Sequence, residues 1–350
     1  MTLPELPPST LRLQIDKGAL AHNWRELDRL SGTARAGAAV KASCYGLGVD
    51  HVVPVLEEAG ARDFFVAHWA EVPAVMQHVP AECISVLHGP LGEADIRFAK
   101  ETGARPVINS LYQARLWRDA GGGPCDVMVD TGMNRLGLSM AEIGEAIVSD
   151  LQIHTLISHL ASADEDVALN ALQLERFTAA AQQVPAQCRS LANSAGIALG
   201  ASYAFDLTRP GLALYGGIPH PGLAGRIRQV ACPQAQVLQL RDLSPGDTVG
   251  YNATFTARRA MRSATVSLGY ADGFLRSWAK AGMLMHNGTE LPILGRVSMD
   301  LVIVDCGAAS QLREGDWLDL EYDLPRAAQL SGLSQYELLT LLGRRFCRTA

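Results

Sequence analysis

Eight short apolar runs constrain the fold of this 350-residue chain more than any other feature. They lie between about residues 36 and 217, and each ends in a polar residue before a stretch of helical spacing. The runs are AGAAVK closing on Lys41, DFFVAH on His68, CISVLH on His88, ARPVIN on Asn109, CDVMVD on Asp130, HTLISH on His159, RSLANS on Ser194 and AFDLTR on Arg209. Segments such as SLYQARLWRDAG and DVALNALQLERFTAAAQQV stand between them with an apolar period of helical length. Strands alternating with helices form parallel βαβ units, and eight such units predict an α/β fold, a (β/α)8 barrel of the TIM type. A doubly wound open sheet is the alternative, but no GxGxxG follows the first strand. A barrel of this kind builds its site at the C-terminal ends of its strands. Lys41, His88, Asn109, Asp130, His159, Ser194 and Arg209 are therefore expected on one rim.

The texture changes after about residue 226. IRQVACPQAQVLQLRDL, DTVGYNATFTA, MRSATVSLGYADG, MLMHNGTELPILGRVSMD, LVIVDCG and DWLDLEYD read as strands, with turns at SPGD, HNGT and REGD, and one helical stretch, LSQYELLTLLGRRF, closes them. The expected division is a barrel over residues 10–225 and a mostly-β C-terminal domain over 226–350, with residues 1–9 packing on the latter. Leu11–Ile15 adds an N-terminal strand.

Composition narrows the function classes. Net charge is −6 and no basic block occurs, so nucleic acid is not expected as a partner. No stretch reaches the roughly 20 apolar residues of a membrane helix, and MTLPELPPSTLRLQ has neither the basic nor the apolar region of a secretory signal. Seven cysteines without a CxxC pair point to reduced thiols in a cytoplasmic protein. Histidines without HxH or HExxH pairing give no metal site.

The chain has only four lysines, at 17, 41, 100 and 280. Lys41 ends an apolar strand and enters the loop KASCYGLG, where desolvation lowers an amine's pKa and suits Schiff-base chemistry. A salt-bridged or snorkelling lysine is the competing reading. Arg135, in DTGMNRLG, is either a carboxylate-binding fork or a brace of its own loop. NSAG (193–196) and RPGLALYGG (209–217) offer a hydroxyl and glycine amides near the last barrel strands, which suits a phosphate. Arg209 either supports neighbouring side chains or faces a cofactor ring. Tyr251, in GYNATF, reads alone as a half-buried strand residue or as an acid.

Taken in order, VKASCYGLG, DTGMNRLG, SHLASAD, NSAG, RPGLALYGG, VGYNATF, LGYADGF and GRVSMD resemble alanine racemase over nearly the whole chain. The resemblance implies a pyridoxal-5′-phosphate (PLP) enzyme that interconverts L- and D-alanine for cell-wall peptidoglycan. It also implies a head-to-tail homodimer whose sites lie at the subunit interface. Lys41 would hold PLP as a Schiff base and act as one base, and Tyr251 of the partner subunit as the other. Tyr45, Ser194, Gly211 and Tyr215 would hold the phosphate. Arg209, supported by His159, would face the pyridine nitrogen. Arg135 and the backbone of Met299 would bind the substrate carboxylate, with Tyr270 and Asp300 lining the access route. Four positions depart from the family's pattern. Met128 stands where many members carry a lysine that braces the arginine of the DTG loop, and Arg344 falls where a tyrosine often touches the phosphate. Ser43 and Cys44 stand where the family usually has Asn or Asp and Ala after the lysine. A racemase of broader amino-acid range and a PLP-dependent decarboxylase are the alternatives within enzymes. A PLP-free sugar- or aldehyde-processing barrel with a Schiff-base lysine is a further enzyme alternative, and a non-catalytic PLP-binding protein is the alternative outside enzymes.

Overall fold

The computed structural model describes residues 4–349. The chain divides into two compact units, one spanning Lys17–Arg228 and the other formed by the segment up to Asp16 together with the chain from Gln229 onward.

The first unit is the barrel. Seven parallel strands follow in sequence order: Ala38–Ala39, Phe64–Val66, Ile84–Val86, Arg105–Ile108, Pro124–Met128, Gln152–Ile157 and Cys188–Ser190. The eighth, Leu207–Thr208, pairs in parallel with Arg35–Ala36, the stretch that runs through Gly37 into the first strand. The Arg209 amide donates to Ala192 O at 2.8 Å, and the Ala39 amide donates to Pro210 O at 2.9 Å. The eighth strand is thus bonded on both sides, and the ring closes. All eight apolar runs become barrel strands because a strand buried on both faces has no solvent side to alternate with.

The helices cover the outer face. Ser110 caps Leu111–Asp119 by accepting from the Gln113 amide, and Ala168–Gln183 buries Phe177 and Ala180. Residue parity sorts the strands. Ile108, Val127, Val129 and Leu156 face the helices, while Phe65, Val107, Met128, Ile157, Cys188 and Leu207 form a separate interior cluster.

Below that apolar layer the barrel interior is charged. Fully buried Asp126 accepts from the Ser85 hydroxyl at 2.5 Å and from the Thr155 amide at 3.0 Å. Its carboxylate lies 3.6 Å from Arg105 Nε, and Arg105 also approaches Asp63 at 3.8 Å. Burial alone would raise the Asp126 pKa, but His154, Arg105 and Ser85 together hold it below the ordinary carboxylate range. The stabilisation is therefore complete above that range and is lost as pH falls through the depressed value. Asp126→Ala leaves the Arg105 cation only its longer contact with Asp63 and takes the acceptor from Ser85 and Thr155, and an unfolding free energy lower by about 3–5 kcal/mol is expected from urea titration. A loss under about 1 kcal/mol would show that the cluster does not depend on its anion.

The second unit is built on one long strand, Ala231–Leu243, which pairs antiparallel with Leu11–Ile15, Met261–Val266 and Trp317–Leu320. Leu11–Ile15 also takes Cys347–Thr349 in parallel on its other side. The expected boundary at residue 10 differs from this arrangement. Leu11–Ile15 belongs to the β unit, because its backbone partners are Ala231–Ala235 and Cys347–Thr349. The packing expected of residues 1–9 lies partly outside the described residues; within them, Ser9 Oγ donates to Arg345 O at 2.9 Å. Two helices stand near the C-terminal end instead of the one expected, Leu324–Ser331 and Gln335–Thr340, capped by Asp323 and Ser334.

Candidate active site

Lys41 follows the first barrel strand directly and begins an unusual turn. Ala42, Ser43, Cys44 and Tyr45 have φ angles of 53°, 52°, 56° and 54°, a left-handed turn built without glycine. That conformation costs an L-residue roughly 1–2 kcal/mol. Internal bonds offset part of the cost: the Cys44 amide donates to Val40 O and the Gly46 amide to Ala42 O, both at 2.9 Å. Cys44 is fully buried, and the Tyr45 ring lies 4.7 Å from that of Tyr215. The turn aims successive side chains in directions that a right-handed helix would not. Burial lowers the Lys41 pKa, Arg135 lowers it further, Glu71 opposes the shift, and Arg209 adds to it.

Arg209 ends the eighth strand and is buried. Its Nη1 donates to Ser190 Oγ and its Nη2 to Ser158 O, each at 2.5 Å. No carboxylate stands within ion-pair distance of it among the described residues. Burial brings its pKa down to about 10, so it is a cation at neutral pH. His159, beside it, is pushed down to about 3 by burial first and then by the charges of Arg209, Arg135 and Lys41. It is thus a neutral imidazole. The direct hydrogen bonds to Arg209 come from Ser158 and Ser190.

The loop after the fifth strand is held from within. Asp130 accepts from the Gly132, Met133 and Arg135 amides at 2.8, 2.9 and 3.1 Å, so its carboxylate shapes the turn that presents exposed Arg135. Gln173, fully buried on its helix, donates to Thr131 Oγ1 at 3.1 Å and to His159 O at 3.0 Å, tying this loop to the next. Met128 lies in the apolar interior. Asn109 spends its amide nitrogen on Leu87 O and Val107 O and serves the scaffold.

Ser194 Oγ accepts from the Gly211 and Ala213 amides at 2.9 and 3.2 Å. A Cβ on Gly211 would fall 2.3 Å from Tyr45 Oη, so only glycine lets this loop pass Tyr45. Tyr215 Oη donates to Ala39 O at 2.8 Å inside the core, which leaves its backbone to serve any ligand. One barrel mouth therefore carries an amine of lowered pKa, a buried cation without a carboxylate, and a glycine-lined hydroxyl and amide cradle. This donor set fits a planar aldehyde that bears a ring nitrogen and a phosphate, as PLP does.

Tyr251, Tyr270, Met299 and Asp300 belong to the other unit. Tyr251 stands on a short 3-10 turn, Tyr251–Ala253, and is 68% exposed. The Tyr270 amide donates to Ser298 O and the Ala271 amide to Met299 O, both at 3.0 Å, so the LGYADG and GRVSMD segments form one surface. Arg345 clamps it: Nε and Nη2 grip Asp272 at 2.7 and 2.8 Å, and Nη1 reaches Asp300 at 2.6 Å. Arg344, the residue singled out in the sequence, is exposed.

Glu71, Ser158, Gln173, Ser190, Asp272 and Arg345 all shape these sites, and sequence reasoning passed over them. Asp272, Ser158 and Arg345 lie within two positions of a residue that the sequence had marked.

Comparison with known proteins agrees with this geometry. Residues 15–219 match the family model described as alanine racemase, N-terminal domain, and residues 230–350 match its C-terminal domain. The alanine racemase of Rhizobium meliloti is 40% identical, covering 100% of this chain and 99% of that protein. The biosynthetic alanine racemase of Agrobacterium fabrum is 39% identical, covering 97% and 93%. The crystal structure of alanine racemase from Bartonella henselae with covalently bound pyridoxal phosphate superimposes with a TM-score of 0.91 at 35% identity, covering 98% of this chain and 99% of that one.

Proposed function

This chain belongs to the alanine racemase family, and on that premise we propose that it interconverts L- and D-alanine with PLP as its cofactor. One observation carries the reading. The Lys41 amine, the Arg209 guanidinium and the Ser194 cradle converge at the C-terminal ends of the first, eighth and seventh strands of a single closed ring.

Lys41 Nζ would hold PLP covalently. Ser194, Tyr45 and the backbone at Gly211 and Tyr215 would receive its phosphate. Arg209 would donate to the pyridine nitrogen and, with a pKa near 10, keeps its own proton at neutral pH. PLP, when bound, withdraws electron density from Cα of the amino acid and makes its proton removable. The protein then decides where that proton goes. Racemisation needs a proton acceptor on one face of Cα and a donor on the other. Lys41 Nζ serves the face from which D-alanine gives its proton, and the Tyr251 hydroxyl serves the face of L-alanine. Arg135 and the Met299 amide hold the carboxylate, and Tyr270 lines the access route. Neutral His159 adds no charge beside Arg209.

Tyr251 comes from the partner subunit of a homodimer, a role suited to a phenol that is 68% exposed on its own chain. No helix among the described residues is long and apolar enough to cross a membrane. The enzyme works in the cytoplasm and supplies D-alanine for peptidoglycan.

The test is incubation with each enantiomer in deuterium oxide, followed by chiral chromatography and mass spectrometry, with borohydride trapping of the cofactor in parallel. Both enantiomers should yield the racemate carrying deuterium at Cα, and the reduced adduct should map to Lys41. An adduct on another lysine, or no deuterium at Cα from either enantiomer, would sink the proposal.

A further inference from the structure

The turn that carries Lys41 is strained, and one carboxylate outside it holds it. Glu71 lies on a short 3-10 segment, Trp69–Glu71, after the second barrel strand. Its Oε2 accepts from the Ala67 amide at 2.7 Å and from the His68 amide at 3.0 Å, which caps its own segment. Its Oε1 leaves that segment altogether and accepts from the Ala42 amide, the first left-handed residue of the Lys41 turn. A local cap has no use for this second reach.

Charge gives the same carboxylate a second task. The groups facing Lys41 come from five neighbouring strand ends. They are Arg135, Arg209 and neutral His159, with His88, whose ring lies 4.1 Å from that of His68, and Glu71. The two arginines disfavour an ammonium at position 41, and Glu71 favours it.

We propose that Glu71 is a positioning residue for Lys41: one carboxylate oxygen anchors the left-handed turn that aims the amine, and the charge of the group counters the arginines around it. The inference rests on the reading of Lys41 as the cofactor lysine and proton-transfer base, but its physical content can be measured without turnover.

A carboxylate accepts on both oxygens, whereas a glutamine side chain in the same place must turn an NH2 toward one of these backbone donors. Glu71→Gln therefore removes the charge and one of the two anchors while keeping the volume. Glu71→Asp keeps the charge and shortens the arm.

The experiment uses the full-length chain stripped of cofactor. The rate of acetylation by an N-hydroxysuccinimide ester is followed at each lysine by peptide mass spectrometry from pH 6 to 10. Lys17, Lys100 and Lys280, all exposed, are internal standards. Loss of the Glu71 charge lowers the Lys41 midpoint, so in Glu71→Gln the amine should react about 3- to 10-fold faster at pH 7 relative to the standards. Glu71→Asp should stay within about 2-fold of the parent chain by the same scale. Both variants should bind PLP at least about 10-fold more weakly in equilibrium titration, because Glu71→Gln gives up one of the two anchors and Glu71→Asp shortens the reach to the Ala42 amide.

Parent-like Lys41 reactivity in Glu71→Gln overturns the proposal, whatever happens to the melting temperature. So does the same Lys41 acetylation rate in the two variants, which would make the charge irrelevant. Failure of the racemase reading shows up elsewhere, as a parent chain whose Lys41 traps no PLP with borohydride.

Discussion

Lys41→Ala is expected to fold normally, to lose racemase activity by at least about 10³-fold, and to yield no PLP-modified peptide after borohydride reduction. The size of the effect follows from scarcity. The other three lysines, 17, 100 and 280, are exposed and lie away from the strand-end run that carries Lys41. No nearby amine can substitute. Arginine at 41 should do no better, because a guanidinium does not give up its proton. Small primary amines added to Lys41→Ala should restore part of the activity, with larger gains at higher pH, where more free amine is unprotonated. In the parent chain, burial, Arg135 and Arg209 hold the Lys41 pKa below the ordinary lysine range despite Glu71. A group with a lowered pKa is unprotonated at a lower pH than a free lysine. The basic requirement in the parent's pH–rate profile should therefore be met well below the ordinary lysine midpoint near 10.4, while the rescued variant follows the pKa of the added amine. Polarimetry across pH 6–10 measures both. Full activity of Lys41→Ala without added amine would remove this residue from the chemistry.

The barrel was legible because its strands are buried on both faces and end on a polar residue, a pattern that survives without any knowledge of long-range pairing. Leu11–Ile15 was assigned to the wrong unit for the opposite reason. Its two neighbours are Ala231–Ala235 and Cys347–Thr349, and nothing in five residues records partners more than 200 positions away. Leu324–Ser331 was not read as a helix, and Pro325 stands in its first turn. Proline is in fact tolerated in the first turn, where its missing donor has no partner to lose.

The site divides along similar lines. Lys41 and Arg209 stood out as charges closing apolar runs. Glu71 did not, since WAEVPAV reads as an ordinary helical surface until the Ala42 amide is seen against it. Ser158 and Ser190, the partners of Arg209, are small residues inside strand runs, and their side chains face the barrel interior only once the register is known. Arg345 was overshadowed by Arg344. The two differ by one position, but only Arg345 meets Asp272 and Asp300. Charged residues in pairs carry no mark of which member is engaged. Their partners come from loops that the fold alone brings together.

Tyr251→Phe should separate the two faces of Cα. The substitution removes only a hydroxyl from a residue that is 68% exposed on its own chain, so the fold should be unaffected, while racemisation falls by about 10²–10⁴-fold. In deuterium oxide the variant should still exchange the Cα proton of D-alanine, through Lys41, and should lose exchange with L-alanine. Equal loss with both enantiomers would mean that Tyr251 binds substrate instead of moving its proton. Subunit mixing decides where the phenol comes from. If the protein is the proposed homodimer, Lys41→Ala and Tyr251→Phe dimers should each have almost no racemase activity. After exchange at equal concentrations, random pairing makes half the dimers mixed, and each mixed dimer rebuilds one intact site out of two if lysine and tyrosine come from different chains. About a quarter of the parent activity should return. If both groups of a site belonged to the same chain, no mixed dimer could contain an intact pair, and mixing would recover nothing.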